Sequence, residues 1–196
     1  MALLQKEKLL DKRDHLLQYI NDTLKLSGNG IEIGVQTSAF SDYILGIWKR
    51  CDKLYLMDCW QEQENYDDGA NVSNKEQEAL YHAVLTKFNN NNRVEVIRDF
   101  SPQGASRFQD NYFNFIYIDA DHSYNAVKKD LEAWYPKLKK GGVFSGHDYG
   151  MDGYWDKWGI KGEFGVTKAV TEFAEKNKLT IFNTREFVCK TWWCIK

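Results

Sequence analysis

The chain has 196 residues, enough for one domain with a sizeable core. Hydrophobic residues make up 43% and charged residues 28%, ordinary globular values that exclude a disordered chain. The formal net charge of −2 leaves no excess of Lys and Arg for nucleic-acid phosphates, and no run approaches the ~20 apolar residues of a membrane span.

Leu3, Leu10, Leu17 and Leu24 fall seven apart with Leu9, Leu16 and Ile20 beside them, so residues 2–26 read as an amphipathic helix. Lys6, Glu7 and Lys8 within that pattern exclude a signal-peptide core, so a cytoplasmic location is expected. "LSGNG" stops the helix. Short apolar runs then alternate with helical patterns, the sequence form of a parallel sheet covered on both faces. The strands read as 30–35, 53–59, 93–98, 113–120 and 141–148, and the helices as 39–50, 74–89, 103–110, 123–139 and 165–177. "LTIFNTREF" and "VCKTWWCIK" follow with no helix between them, which predicts an antiparallel hairpin at one side of the sheet. Segments 61–73 and 149–164 read as irregular candidate lids. The expectation is a single domain, 1–196: an N-terminal helix (1–27) and a Rossmann-like α/β core (28–196). Its sheet should be doubly wound, mostly parallel and seven-stranded, with a C-terminal antiparallel hairpin and helices on both faces.

Cys51, Cys59, Cys189 and Cys194 lack C-x-x-C spacing and read as free thiols rather than a zinc or redox site. Lys128, Lys129, Lys137, Lys139 and Lys140 read as a solvated face, and His15 and His82 as surface residues on helices.

In an open α/β sheet, ligands bind outside the carboxyl ends of the strands. Polar groups recur at all five of those ends: Glu32, Gly34, Thr37 and Ser38; Asp58 and Trp60; Asp99, Phe100 and Ser101; Asp119, Asp121 and His122; His147 and Asp148. A helix cap explains a single Ser or Asp, but not five converging sets. After strand one only Gly34 remains of a glycine-rich string, because Gly28 and Gly30 come too early to bring backbone amides to a pyrophosphate. Asp58 at the end of strand two suits ribose hydroxyls. A nucleoside without pyrophosphate points to S-adenosylmethionine.

With "IEIG", "LYLMDCWQEQENYDD", "VIRDFS", "FIYIDADHSYNAVKKDLEAWYPKLKKGGV" and "SGHDY" in that order, residues 28–175 resemble class I S-adenosylmethionine-dependent methyltransferases. The likeness is greatest to the branch of small-molecule and sugar O-methyltransferases, and it extends to methyltransferase domains of larger glycan-building polypeptides such as chlorella viruses encode. The resemblance implies that Glu32 and Gly34 lie against the methionine part, with Thr37 and Ser38 in the same cofactor loop and Asp119 on the methyl side. It implies Asp58 on the ribose with Trp60 nearby, and Asp99, Phe100 and Ser101 beside the adenine. Where the family often has glycine, this chain has Ser38. The resemblance also implies an O-methyltransferase of a small hydroxylated acceptor, more a sugar or glycan than a catechol, with no nucleic-acid or membrane partner. A homo-oligomer or a fusion to other glycan-building domains is compatible with it.

A sulfonium methyl is already activated, so the protein must orient an acceptor oxygen and remove its proton. Candidates for the base are Asp121, His122 and His147, with Asp148 in the same catalytic group. Some relatives of this type use a divalent cation, for which Asp119 and Asp148 occupy matching positions, while His147 stands where another aspartate is frequent. Tyr149, Tyr154, Trp155, Trp158 and Phe164, punctuated by Gly150, Gly153, Gly159 and Gly162, read as an acceptor lid. Two competitors stand beside this reading: an NAD(P)-dependent oxidoreductase, and a non-catalytic module that binds an S-adenosyl ligand.

Overall fold

The computed structural model describes residues 10–196. The predicted helix over residues 2–26 therefore lies partly outside the described residues. Within them it is α1 (Arg13–Gln18), which continues as a π-helical turn, Tyr19–Thr23. Leu16, Leu17 and Ile20 are fully buried, so this part of the apolar stripe seats on the sheet.

The strands are β1 (Gly28–Ile33), β2 (Cys51–Asp58), β3 (Val94–Arg98), β4 (Phe113–Ile118), β5 (Leu138–Tyr149), β8 (Phe182–Asn183) and β9 (Lys190–Ile195), in the order β3-β2-β1-β4-β5-β9-β8. β1 to β5 pair in parallel, whereas β9 runs antiparallel to both β5 and β8. This is the doubly wound, mostly parallel seven-stranded sheet with a C-terminal hairpin that the alternation predicts. The strand order reverses between β1 and β4, where a crevice opens at the carboxyl edge.

Side chains alternate between the two faces of the sheet. Ile31, Ile33, Tyr55, Met57, Ile116 and Trp192 pack with α5 (Tyr124–Trp134) and α6 (Val166–Asn177). Leu54, Leu56, Phe115, Tyr117 and Trp193 pack with α1, α2 (Ala39–Ile47) and α3 (Asn74–Phe88). Glu32, between Ile31 and Ile33, is thereby committed to the second face, beneath α2.

Three elements depart from expectation. The helix placed at 103–110 is a short turn, α4 (Ser101–Gly104), started by Pro102 and followed by a 3₁₀ turn, Ala105–Arg107. The helix placed at 123–139 stops at Trp134, two residues before Pro136, so Lys139 and Lys140 belong to β5. Segment 149–164 is not irregular, since β6 (Gly153–Lys157) and β7 (Ile160–Phe164) form a hairpin. Its two-residue turn, Trp158-Gly159, has φ of 58° and 77°. Paired positive φ suits the strand twist but is usually signalled by Asn-Gly, and Trp-Gly hides it.

All four cysteines are free. Among the described residues no helix is long and apolar enough to cross a membrane. Because Leu17 is fully buried against the sheet, Leu17→Ala should destabilise the protein by ~2–5 kcal/mol. Urea unfolding checks this, and a loss below about 1 kcal/mol would mean that α1 is not part of the core.

Candidate active site

Each functional side chain is set by where its strand stops. β1 ends at Ile33, and Gly34 follows with φ of 85°. A Cβ there would stand 1.9 Å from the Asp119 carbonyl oxygen, so only glycine lets the chain leave β1 so close to β4. The loop that follows is clipped by Asp58: Val35 and Gln36 donate their backbone N–H groups to Asp58 Oδ2 (2.8 and 2.9 Å), and Trp60 donates its own to Oδ1 (2.8 Å). Asp58 thus shapes the loop, and its remaining acceptor capacity faces the cleft.

The cleft at this edge has a volume of about 650 Å³. Of the residues expected to hold a cofactor, Glu32, Gly34, Thr37, Asp58, Asp99, Phe100, Ser101 and Asp119 all line it, as do Asp121, His122, His147 and Asp148. Two do not reach it. Ser38, in the left-handed region and fully buried, accepts from Lys87 Nζ at 3.0 Å behind the loop. Trp60, also fully buried, donates its indole N–H to the Gln36 carbonyl at 3.0 Å and packs on Tyr81. Both support the wall from outside the cleft. A strand-end position identifies neighbours of a site but does not say which way a side chain turns.

Phe100 is 41% exposed at the rim, a free ring face for a flat ligand. Asp99 accepts from Arg107 Nε at 2.7 Å. Ser101 donates its hydroxyl to Asp130 (2.6 Å) and accepts from Trp134 Nε1 (3.0 Å). Burial pushes the Asp130 carboxyl up to about 7, against the Ser101 hydrogen bond.

At the ends of β4 and β5 the titratable groups converge. Asp148 has φ of 57° within an irregularity of the β5–β9 register. That left-handed residue lies at a bulge beside the site. His122 Nε2 is 3.0 Å from Asp148 Oδ2 and 3.5 Å from Asp119 Oδ1, and His147 Nδ1 is 3.4 Å from Asp148 Oδ1 and 3.6 Å from Asp119 Oδ1. Asp121 accepts from the Ser123 N–H at 2.8 Å, which fixes the start of α5. Burial opposes the charged form of both histidines, yet Asp119, Asp68 and Asp148 hold His122 well above the usual range, and Asp119 and Asp148 raise His147. Burial would raise Asp148, but the His147 hydrogen bond and the charge of His122 outweigh it and hold its carboxyl low.

Two contributors escaped sequence reasoning. Asp68, in loop 61–73, lies 3.2 Å through Oδ2 from His122 Nδ1, with Tyr66 Oη at 3.4 Å. Arg13 of α1 lines the cleft with its guanidinium 4.7 Å from the Phe40 ring centroid. The "NYDDG" run in a segment read as a lid hinted at Asp68. Nothing local pointed to Arg13. The lid aromatics divide: Phe164 is buried and stacks on His122 (5.0 Å, 9°), while Tyr154 and Trp158 are exposed. None of the five lines the cleft.

Three side chains at this junction form a donor set for a cation. Asp119, His122 and Asp148 each offer a ligand atom, all within 4.8 Å of one another. His122 Nε2 is buried and makes no hydrogen bond, because its carboxylate neighbours are close but not in line. A neutral His122 with Nδ1–H directed at Asp68 would present its Nε2 lone pair beside two carboxylates, the arrangement of a metal-binding imidazole with its supporting acid. The residues fit a divalent cation, and His122 supplies a third donor that strand-end reasoning had considered only as a base.

The sequence matches the family described as "Methyltransferase domain" over residues 31–149, well over half of the chain. No curated protein matches it by sequence. Among solved structures, it is similar to a candidate caffeoyl-CoA O-methyltransferase from Staphylococcus aureus (TM-score 0.65, 14% identity, covering 97% of this chain and 87% of that one). It is also similar to the N-methyltransferase NodS from Bradyrhizobium japonicum WM9 (TM-score 0.61, 13% identity, 94% of each chain). A third is a SAM-dependent methyltransferase from Aquifex aeolicus (TM-score 0.58, 14% identity, 94% of each). At these identities the likeness is one of fold.

Glu32 is a buried acid of the cleft wall. Burial raises its pKa to about 8, the Ser41 hydrogen bond opposes, and Asp119 adds to the rise. A folded-state pKa above the unfolded value of ~4.3 contributes stability that is full below ~4.3 and lost as pH rises through about 8. Glu32→Gln should therefore melt higher than the unsubstituted protein at pH 9 without ligand, with the difference vanishing toward pH 4. Melting curves at the two pH values check this, and parallel shifts at both would contradict it.

Proposed function

This chain belongs to the methyltransferase domain family, and from that premise we propose that it transfers the methyl group of S-adenosylmethionine to a hydroxyl of a small sugar or glycan acceptor. S-adenosylmethionine is its cofactor, and membership of the family sets the oxidoreductase reading aside. The observation that carries O-methylation is the convergence of Asp119, Asp121, His122, His147 and Asp148 at the ends of β4 and β5. A sulfonium methyl needs no activation, but an alcohol must lose its proton as the new carbon–oxygen bond forms and the methyl–sulfur bond breaks. An assembly of carboxylates and imidazoles suits that proton. Gln61, Gln63 and Asn125, also in the lining, offer amide groups that suit a hydroxyl-rich acceptor.

In this reading Glu32 and Asp119 face the methionine part, Gly34 and Thr37 form the loop beside it, and Asp58 takes the ribose. Asp99, Phe100 and the backbone at Ser101 border the adenine. Asp121 or His147 receives the acceptor proton, and His122 is held in place by Asp68 and Phe164. Asp119, His122 and Asp148 would hold a divalent cation, which when bound supplies acidification of the acceptor hydroxyl.

His147→Ala and Asp121→Asn should each lower kcat, the true base by ~10²–10⁴-fold, with affinity for S-adenosylhomocysteine almost unchanged. Loss of cofactor binding instead would remove them from the acid–base role. Transfer of a labelled methyl group across a panel of sugars, with and without chelator, tests acceptor and metal together. The expected result is a labelled sugar O-methyl ether, formation that stops on chelation and returns with Mg²⁺ or Mn²⁺. Full activity in chelator would leave Asp119, His122 and Asp148 as a purely ionic cluster.

A further inference from the structure

The cleft wall is acidic nearly throughout, with Glu32, Asp58, Asp99, Asp119, Asp121 and Asp148 among its lining residues. Apart from histidines, only Arg13 and Lys129 bring positive charge to it among the described residues. They serve opposite ends. Lys129 is exposed on α5, and its charge acts on Asp130, which holds Ser101 at the Phe100 end. Arg13 acts on Glu32 and Asp119, at the β1–β4 junction.

We propose that Arg13 binds the α-carboxylate of the cofactor's methionine moiety, a specificity contact that completes recognition of a zwitterion whose ammonium is met by Glu32 and Asp119. The inference rests on the cofactor reading above. S-adenosylmethionine presents two positive groups, sulfonium and ammonium, and one negative group, the carboxylate. An acidic wall accounts for the first two and would repel the third, so a cation is needed at that end. Arg13 is placed for it. Its stem belongs to α1, whose Leu16 and Leu17 anchor it to the core, and its guanidinium rests beside the Phe40 ring at 4.7 Å. Phe40 precedes Ser41, which donates to Glu32 Oε2 at 2.5 Å, so the ring under the cation and the hydrogen-bond donor of the buried acid are neighbours at the start of α2.

The guanidinium also feels Tyr117, Asp119 and Glu186, yet it forms none of the ion pairs shorter than 4.0 Å found among the described residues. A planar fork parked on an aromatic face, with its donors not consumed by a bidentate carboxylate, is available to an incoming one. An N-terminal element that supplies a cofactor contact also explains why α1 packs over the same sheet face that carries Glu32.

The test compares two ligands by calorimetry. S-adenosylhomocysteine carries the carboxylate, whereas S-adenosyl-3-thiopropylamine keeps the amine and lacks only the carboxylate. The unsubstituted protein should prefer the first by at least about tenfold, in keeping with a charge-assisted, bidentate contact. Arg13→Met, which retains an apolar stem over Phe40, should abolish that preference by weakening S-adenosylhomocysteine while leaving the amine ligand within about twofold. Arg13→Lys should recover part of it. Equal losses for both ligands would assign Arg13 a merely structural role and overturn the proposal. An unchanged preference, with or without a raised acceptor KM, would overturn it in favour of the acceptor or of no ligand. Failure of the unsubstituted protein to bind either ligand would overturn the cofactor reading itself, a result distinct from both.

Discussion

The structure depends on how closely β1 and β4 approach at their carboxyl ends. Asp119 donates its N–H to the Ile33 carbonyl at 2.7 Å, the last rung between the two strands, and Gly34 then turns away with no Cβ to collide with the Asp119 carbonyl. Gly34 in turn donates its N–H to Met57 at 2.9 Å, which brings the end of β2 into the same junction. Parallel strands that stop together leave their loops and following helices to diverge, so a crevice opens there. The acids at those ends are carried into it by the sheet register: Glu32 stands opposite Leu56 and Tyr117, and Asp58 opposite Arg98.

That convergence concentrates negative charge where water is scarce. Glu32 and Asp148 are buried, and Asp119 is largely so. Carboxylates in such a setting either take up protons or recruit cations. Both responses are visible: Glu32 and Asp130 are displaced toward the protonated form, while His122 and His147 are drawn toward the charged one. A sulfonium cofactor, and the divalent cation proposed above, would relieve the same excess, so the electrostatics of the fold and the chemistry proposed for it have one origin.

Two segments outside the sheet hold this arrangement. Loop 61–73 is knitted internally by Asn71, whose amide donates to the Gln63 and Tyr66 carbonyls at 2.9 and 2.6 Å. It then reaches in two directions. Asp68 contacts His122 at 3.2 Å, and Asp67 accepts from Tyr154 at 3.0 Å and pairs with Lys161 at 2.6 Å on the hairpin. Gly162 of that hairpin has no room for a Cβ, which would stand 2.9 Å from the Asp67 carbonyl. The hairpin's last residue, Phe164, supplies the ring under His122. Loop, hairpin and histidine form one unit, so a change at the surface Asp67 is felt at the site.

The alternation of β-branched and aromatic runs with helical stripes determined the sheet, its mostly parallel sense and its terminal hairpin, because burial on both faces imposes that pattern residue by residue. Strand-end chemistry likewise pointed to most of the acids and both histidines of the cleft lining, from Glu32 to Asp148. What it could not supply was side-chain direction. Ser38 and Trp60 occupy the right positions and turn away, since Lys87 holds the Ser38 hydroxyl behind the loop while the Gln36 carbonyl and the Tyr81 ring hold the Trp60 indole. The hairpin at Trp158-Gly159 was hidden because its turn lacks the usual residues. Asp68 meets His122 across 54 residues of sequence, and Arg13 reaches the cleft from a helix that precedes β1, seated on Phe40 of α2, and no local periodicity encodes such a meeting. It is decided only when the two faces of the sheet are packed and the loops are carried across its edge.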